Sequence, residues 1–214
     1  MPLLCSKGGE GDSYDRAAMT TIELLQAILM FGVVPLWVAA GVADHTCHRV
    51  SRIERTSGPK ESVLHLLQLV EVGGPLLAAL FLEINAGILL FMLLGLLVHQ
   101  ATAVWDVRYA NETRDVSPTE QHVHGIMEML PLMAVVLIAV IHWPAFLSLF
   151  GQDVARFELA LKNPPLPAWY LASVLAAAVA VGILYVEELV RTLRAAPRHA
   201  LAPHNQLRAA TRRS

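Results

Sequence analysis

The sequence predicts an all-α polytopic membrane protein, a bundle of about five transmembrane helices with one interfacial amphipathic helix. Three observations carry that prediction. Hydrophobic residues make up 55% of the 214 positions, and the mean hydropathy of +0.51 is well above soluble usage. Five stretches are long enough to cross a bilayer, which takes about 20 mostly apolar residues. The lysines and arginines divide 12 to 4 between the two sides that five spans would create.

The length suits one membrane domain over 21–192, flanked by a polar N-terminal segment (1–20) and a basic, disordered tail (193–214). The start is polar and acidic from Glu10 to Asp15, unlike a cleaved signal peptide, so the first apolar run is expected to stay as a spanning helix.

The spans are expected at roughly 21–43, 63–83, 86–106, 122–143 and 167–189. A tight break at Glu83-Ile84-Asn85-Ala86-Gly87 makes the second and third a helical hairpin. Ser117-Pro118-Thr119-Glu120 supplies an N-cap serine, a first-turn proline and a capping-box glutamate for the fourth. Over 145–165, Phe146, Leu149, Phe150, Val154, Phe157 and Leu161 set against Gln152, Asp153, Arg156 and Lys162 read as the interfacial amphipathic helix.

Five spans place the termini on opposite sides. Arg49, Arg52, Arg55, Lys60, Arg108, Arg114 and six arginines from Arg191 to Arg213 share one side, against Lys7, Arg16, Arg156 and Lys162 on the other. The positive-inside rule makes the basic side cytoplasmic in an inner or plasma membrane, with the N-terminus out and the C-terminus in.

Within this apolar frame, four spans carry acids and imidazoles at one-turn spacing: Asp44 with His48, Glu61 with His65, His99 with Asp106, and Glu120 with His124 and Glu128. Residues four or seven apart share a helix face. Because neighbouring spans alternate in direction, all four sets fall at the cytoplasmic end. At 1.5 Å per residue His65 and His124 lie about 6 Å in from Glu61 and Glu120, His99 and Glu128 about 10–12 Å, and Glu71 about 15 Å. Glu61, His65, Gln68, Glu71 and Glu83 keep to one sector of the second span, and Thr102 joins His99 and Asp106 on the third. An ionisable group in a bilayer is costly unless it has a partner or a metal.

This donor set suits iron, zinc or manganese, and no soft sulfur set favours copper(I). Asp44, His48, Glu61, His65, His99, Asp106, Glu120, His124 and Glu128 are too many for one tetrahedral zinc, so two metal ions, iron foremost, are expected. Glu71, Gln68 and Thr102 are the candidates for moving protons or orienting substrate. Soluble di-iron bundles follow similar logic with Glu-x-x-His pairs, whereas the pairs here stand four apart. The arrangement is similar in logic and location to the membrane desaturases and hydroxylases; their HxxxH and HxxHH boxes are missing here, and no family is assigned.

Simpler readings stand beside these. Glu120 can serve only as a capping residue, and Asp44 and Glu61 can pair with Arg49 and Lys60 at the interface. Cys47 reads as a small buried thiol, and with Cys5 it makes no disulfide framework. His45 and His122 suit the headgroup level, and His142-Trp143 an aromatic belt. Glu187 and Glu188 read as partners of Arg191 and Arg194, and His199 and His204 as inert tail residues.

The leading expectation is a membrane di-metal oxidoreductase, hydroxylase- or desaturase-like, that oxidises a lipid or other hydrophobic substrate with electrons from a donor protein. A zinc-dependent hydrolase is the alternative, followed by a metal or proton transporter and a b-type haem protein. Phosphate loops, Ser/His/Asp elbows and nucleic-acid signatures are absent from the sequence, and the tail arginines are explained by topology and anionic lipid.

Overall fold

The computed structural model describes residues 19–152 and 154–200, with side chains to 196. The expectations for residues 1–18 (with Cys5, Lys7 and Arg16), for Asp153, for the His199 side chain and for 201–214 (with His204) lie outside the described residues.

Helix α1 runs over Thr21–Ser51, α2 over Pro59–Phe81, α3 over Ala86–Thr113, α4 over Pro118–Ile141, the short α5 over Trp143–Ser148 and α6 over Ala168–Ala200. All but α5 are long and apolar enough to cross a membrane, and no strand occurs among the described residues. The expected spans are present and extend beyond their apolar stretches, because the polar turns that follow still satisfy backbone groups within the helix. α6 itself continues through residues 193–200, into the stretch expected as a tail.

Thr20 opens α1 with a capping box, its hydroxyl accepting from the Glu23 N–H while the Glu23 carboxylate accepts from Thr20. Leu29–Val33 form a π-helical turn just before Pro35, which has no N–H to give the preceding turn. Arg52, in the left-handed region at φ 54°, and Gly58, at φ 72°, carry the chain from α1 to α2 around the fully buried Ile53. The α2–α3 hairpin turns where expected: Asn85 caps α3 by accepting from the Gly87 and Ile88 N–H groups. A Cβ on Gly95 would stand 2.8 Å from Pro75 Cγ, so glycine lets α3 lie against the proline turn of α2.

The amphipathic helix expected over 145–165 is shortened to α5. From 154 to 165 the chain is not helical, with Leu161 bridged to Leu82 and the Glu83 N–H donating to the Ala160 carbonyl. Phe157, Leu159 and Leu161 of this stretch are exposed. That pairing offers the backbone partners which a helix would otherwise supply.

Ile88, Leu89 and Met92 of α3 pack on Val135, Ile138 and Ala139 of α4, and a second apolar cluster joins Val34, Leu80, Tyr170 and Val174. Both clusters sit in the half of the bundle nearer the α2–α3 turn. The opposite half is polar inside.

Candidate metal centre

Five helices converge there: the C-terminal turns of α1 and α3, the first turns of α2 and α4, and the middle of α6 around Tyr185 and Glu188. Asp44 and His48 lie one turn apart on α1, both buried, because the C-terminal turns of that helix are covered by α4 and α6. His65 enters from α2 and stacks on His48 with ring centroids 4.3 Å apart. His124 comes from α4 and places Nε2 2.8 Å from Asp44 Oδ1. His48 Nε2 stands 3.4 Å from the same oxygen and 3.5 Å from Glu120 Oε1. His65 Nε2 faces Asp106 Oδ2 at 3.2 Å.

These separations approach the edge of a tetrahedron drawn with metal–ligand bonds of 2.0–2.1 Å, about 3.3 Å. Their angles are the more telling feature. Asp44 Oδ1, His48 Nε2 and His65 Nε2 are buried without an aligned hydrogen bond, despite the short distances. Atoms that close, yet not aimed at each other, suit donors directed at a shared point between them. Two overlapping groups bring ligand atoms within 4.8 Å of one another: Asp44, His48 and His124, and His48, Glu61 and His65. As placed, His48 belongs to both groups and cannot give one nitrogen to two ions.

The rings are held from behind. Glu188 of α6, fully buried, reaches His48 Nδ1 with Oε2 at 3.0 Å and His65 Nδ1 with Oε1 at 2.8 Å. A carboxylate that takes one ring N–H leaves the other nitrogen as a free acceptor, the arrangement that metal-bound histidines nearly always show. The Tyr185 hydroxyl, one turn earlier, donates to Asp44 Oδ2 at 3.3 Å. The expectation that Glu188 pairs with Arg191 and Arg194 is thereby corrected; Glu187 alone meets Arg191, at 3.4 Å, and it also takes Arg49 of α1 at 3.0 Å. The signal for Glu188 was present in the sequence. Tyr185, Glu188 and Thr192 recur at helical spacing on one face of an apolar helix, and all three are buried.

Glu61 and Glu120 have a cation already. Arg114, in the loop after α3, donates from Nη2 to Glu61 Oε1 at 2.6 Å and grips Glu120 through both Nη atoms. Burial disfavours its charge, but Glu120 and Glu61 outweigh that and hold it well above the ordinary guanidinium range. The interfacial pairings of Asp44 with Arg49 and Glu61 with Lys60 do not form; Lys60 instead lies over the Tyr109 and Trp105 rings. Ser117 does cap α4, accepting from the Glu120 N–H, while the Glu120 side chain goes to Arg114 and does not close a capping box.

One layer deeper, Gln68 donates to Asp106 Oδ2 at 3.1 Å and Thr102 to Glu71 Oε1 at 2.8 Å. His99 is buried with neither ring nitrogen bonded, its Nδ1 3.9 Å from Glu71 Oε2. Neither candidate ion group includes His99, Asp106 or Glu128, although all three line one cleft with Asp44, His65 and His124. Glu83 lies past the end of α2 and accepts from the Asn163 N–H, so the polar stripe of α2 stops at Glu71. His45, expected at headgroup level, is buried near Glu187 and Glu188, whereas His122 is exposed as expected. Cys47 is half-buried and His142 sits at the far end of the bundle.

The cleft has a volume of about 100 Å³ and is apolar away from these donors, with Val34, Trp37, Leu69, Leu76 and Val181 on its walls. No family model matches the chain, and neither the curated proteins nor the solved structures give a match.

Proposed function

We propose that the chain is an integral membrane oxidoreductase whose polar half holds two metal ions, iron foremost, and that it oxidises a lipid-like or other hydrophobic substrate. A single observation carries this reading. Imidazole and carboxylate atoms from three helices, α1, α2 and α4, lie within coordination reach of one another, and Glu188 orients two of the rings. Asp44, His48 and His124 would hold one ion, and Glu61 and His65 would contribute to a second. Iron held there would supply reductive activation of O2.

The chain's own residues set the conditions for that chemistry. Glu188 fixes which nitrogens of His48 and His65 face inward, and Tyr185 fixes the Asp44 rotamer. The apolar cleft excludes water and admits an apolar C–H bond beside the donors. Gln68 and the Thr102–Glu71 pair offer a short polar route for protons. Hydroxylation replaces C–H by C–O–H: one oxygen atom of O2 enters the product and the other leaves as water. The two electrons come from a redox-carrier protein and the two protons from solvent. By the basic asymmetry of its loops, this end faces the cytoplasm, where reduced carriers are made.

Elemental analysis of protein purified without added metal tests the reading. About two irons per chain with oxygen-dependent turnover are expected, and His65→Ala should lose the metal while His142→Ala keeps it. Fully active, iron-free protein would refute the proposal. One observation favours a second reading, a zinc-dependent hydrolase. Arg114 already neutralises Glu61 and Glu120, leaving a three-donor set of Asp44, His48 and His124 with room for a water. One zinc per chain and turnover without oxygen select that alternative.

A further inference from the structure

A second cleft, of about 140 Å³, continues the first toward the far end of the bundle. Val34, Trp37 and Leu76 line both, so the two clefts adjoin. From His65 to Leu80 the two flank α2 for about 22 Å at 1.5 Å per residue, most of the roughly 30 Å hydrocarbon thickness of a bilayer. The walls between are mostly apolar, with Gln68, His99 and Glu128 nearer the donors, Glu71, which Thr102 engages, midway, and Gln26 and Tyr170 toward the far end.

The far end carries a charge of the opposite kind from the metal-centre acids. Lys162 is the only lysine or arginine lining either cleft. It is half-buried, and its ammonium makes no hydrogen bond or ion pair among the described residues. His142 lines the same mouth. Glu83 is close by, but its carboxylate accepts from the Asn163 backbone N–H at 2.6 Å. Burial pulls the Lys162 pKa down and Glu83 only partly restores it, so an arriving anion would complete its coordination.

We infer that the paired clefts bind a long single-chain carboxylate lipid, its head on Lys162 and its tail end beside the His65–His124 donors. This rests on the proposed function, whose substrate class it narrows. A chain in that orientation presents its methyl end, not its head, for oxidation. Two-chain phospholipids do not suit a passage lined by α1, α2, α3, α4 and α6.

Gly73 provides a test away from every metal-site residue. It lines the first cleft, and a Cβ there would meet nothing within 4 Å, so a leucine at that helical position starts from open space beside the passage and narrows it. Binding of radiolabelled palmitate and of palmityl alcohol is measured on protein in nanodiscs, as purified and after chelation, with metal content read from the same samples. Lys162→Gln should weaken palmitate about tenfold, the worth of one charge-assisted bond, and leave the alcohol unchanged. Gly73→Leu, with wild-type helicity and melting, should weaken both. Palmitate binding within twofold of wild type in either variant overturns the inference, as does equal loss of both ligands in Lys162→Gln. Lys162-dependent binding to protein that never holds metal keeps this inference and removes the metal reading; metal retention without such binding does the reverse.

Discussion

At one end of α3, Ile88, Leu89 and Met92 pack on Val135, Ile138 and Ala139; near the other, Thr102 and Asp106, with Arg114 just beyond, meet carboxylates, amides and imidazoles. The same helix therefore serves two kinds of interior. Lipid is as apolar as leucine, so the first end gains little from burial alone and depends on fitted contact. The second end removes charges from water, and each must be offset by a specific partner. Loss of a side chain leaves a void in the one and an unpaired charge in the other. That difference is why the polar end is the functional candidate: packing alone never requires so many mutually dependent groups.

Arg114→Ala should break the contrast hardest. It leaves Glu61 and Glu120 buried without their cation, costing roughly 3–5 kcal/mol, read as a large drop in the melting midpoint in detergent. Adding Glu120→Gln should recover part of the loss, and absence of any recovery would show that the clamp is not its source.

Leu89→Ala comes next, at about 2–4 kcal/mol for a fully buried leucine. The metal-to-protein ratio should stay at its wild-type value; a fall in metal content would mean that the two ends are not separable.

Glu188→Gln sharpens the comparison within the polar end. An amide keeps the volume but no longer imposes the same tautomer on His48 and His65, and metal affinity should fall about 10- to 100-fold in chelator competition. Unchanged affinity would take Glu188 out of the site and return it to a purely structural role.

Arg49→Ala should do least. Its pair with Glu187 is largely exposed and worth about 0–1 kcal/mol, so both melting and metal content should match wild type within error. A loss as large as that of Leu89→Ala would place the rim inside the cooperative unit.

Much of this arrangement was legible along the chain. Local hydrophobicity and length suffice to find helices that lipid would surround, because every backbone group must be satisfied within its own segment. One-turn spacing was enough to put Asp44 with His48 and Glu120 with His124 on shared faces, since helical periodicity is a local property. The stretch over 145–165 went the other way. Its pattern fits a helix as well as a strand, and only the edge offered by Leu82 and Glu83 selected the non-helical form.

What the sequence by itself determined is the set of long apolar helices and the imidazoles and acids near their polar ends. Which of those acids face metal-type donors, which face Arg114, and that Glu188 stands behind two rings were decided only by tertiary packing. The physical reason is range. Helix formation and lipid exposure depend on neighbours within a few turns, whereas a carboxylate's partner is whatever positive or donor group the fold brings within about 3 Å, and for Glu188 those groups lie 123 and 140 residues away.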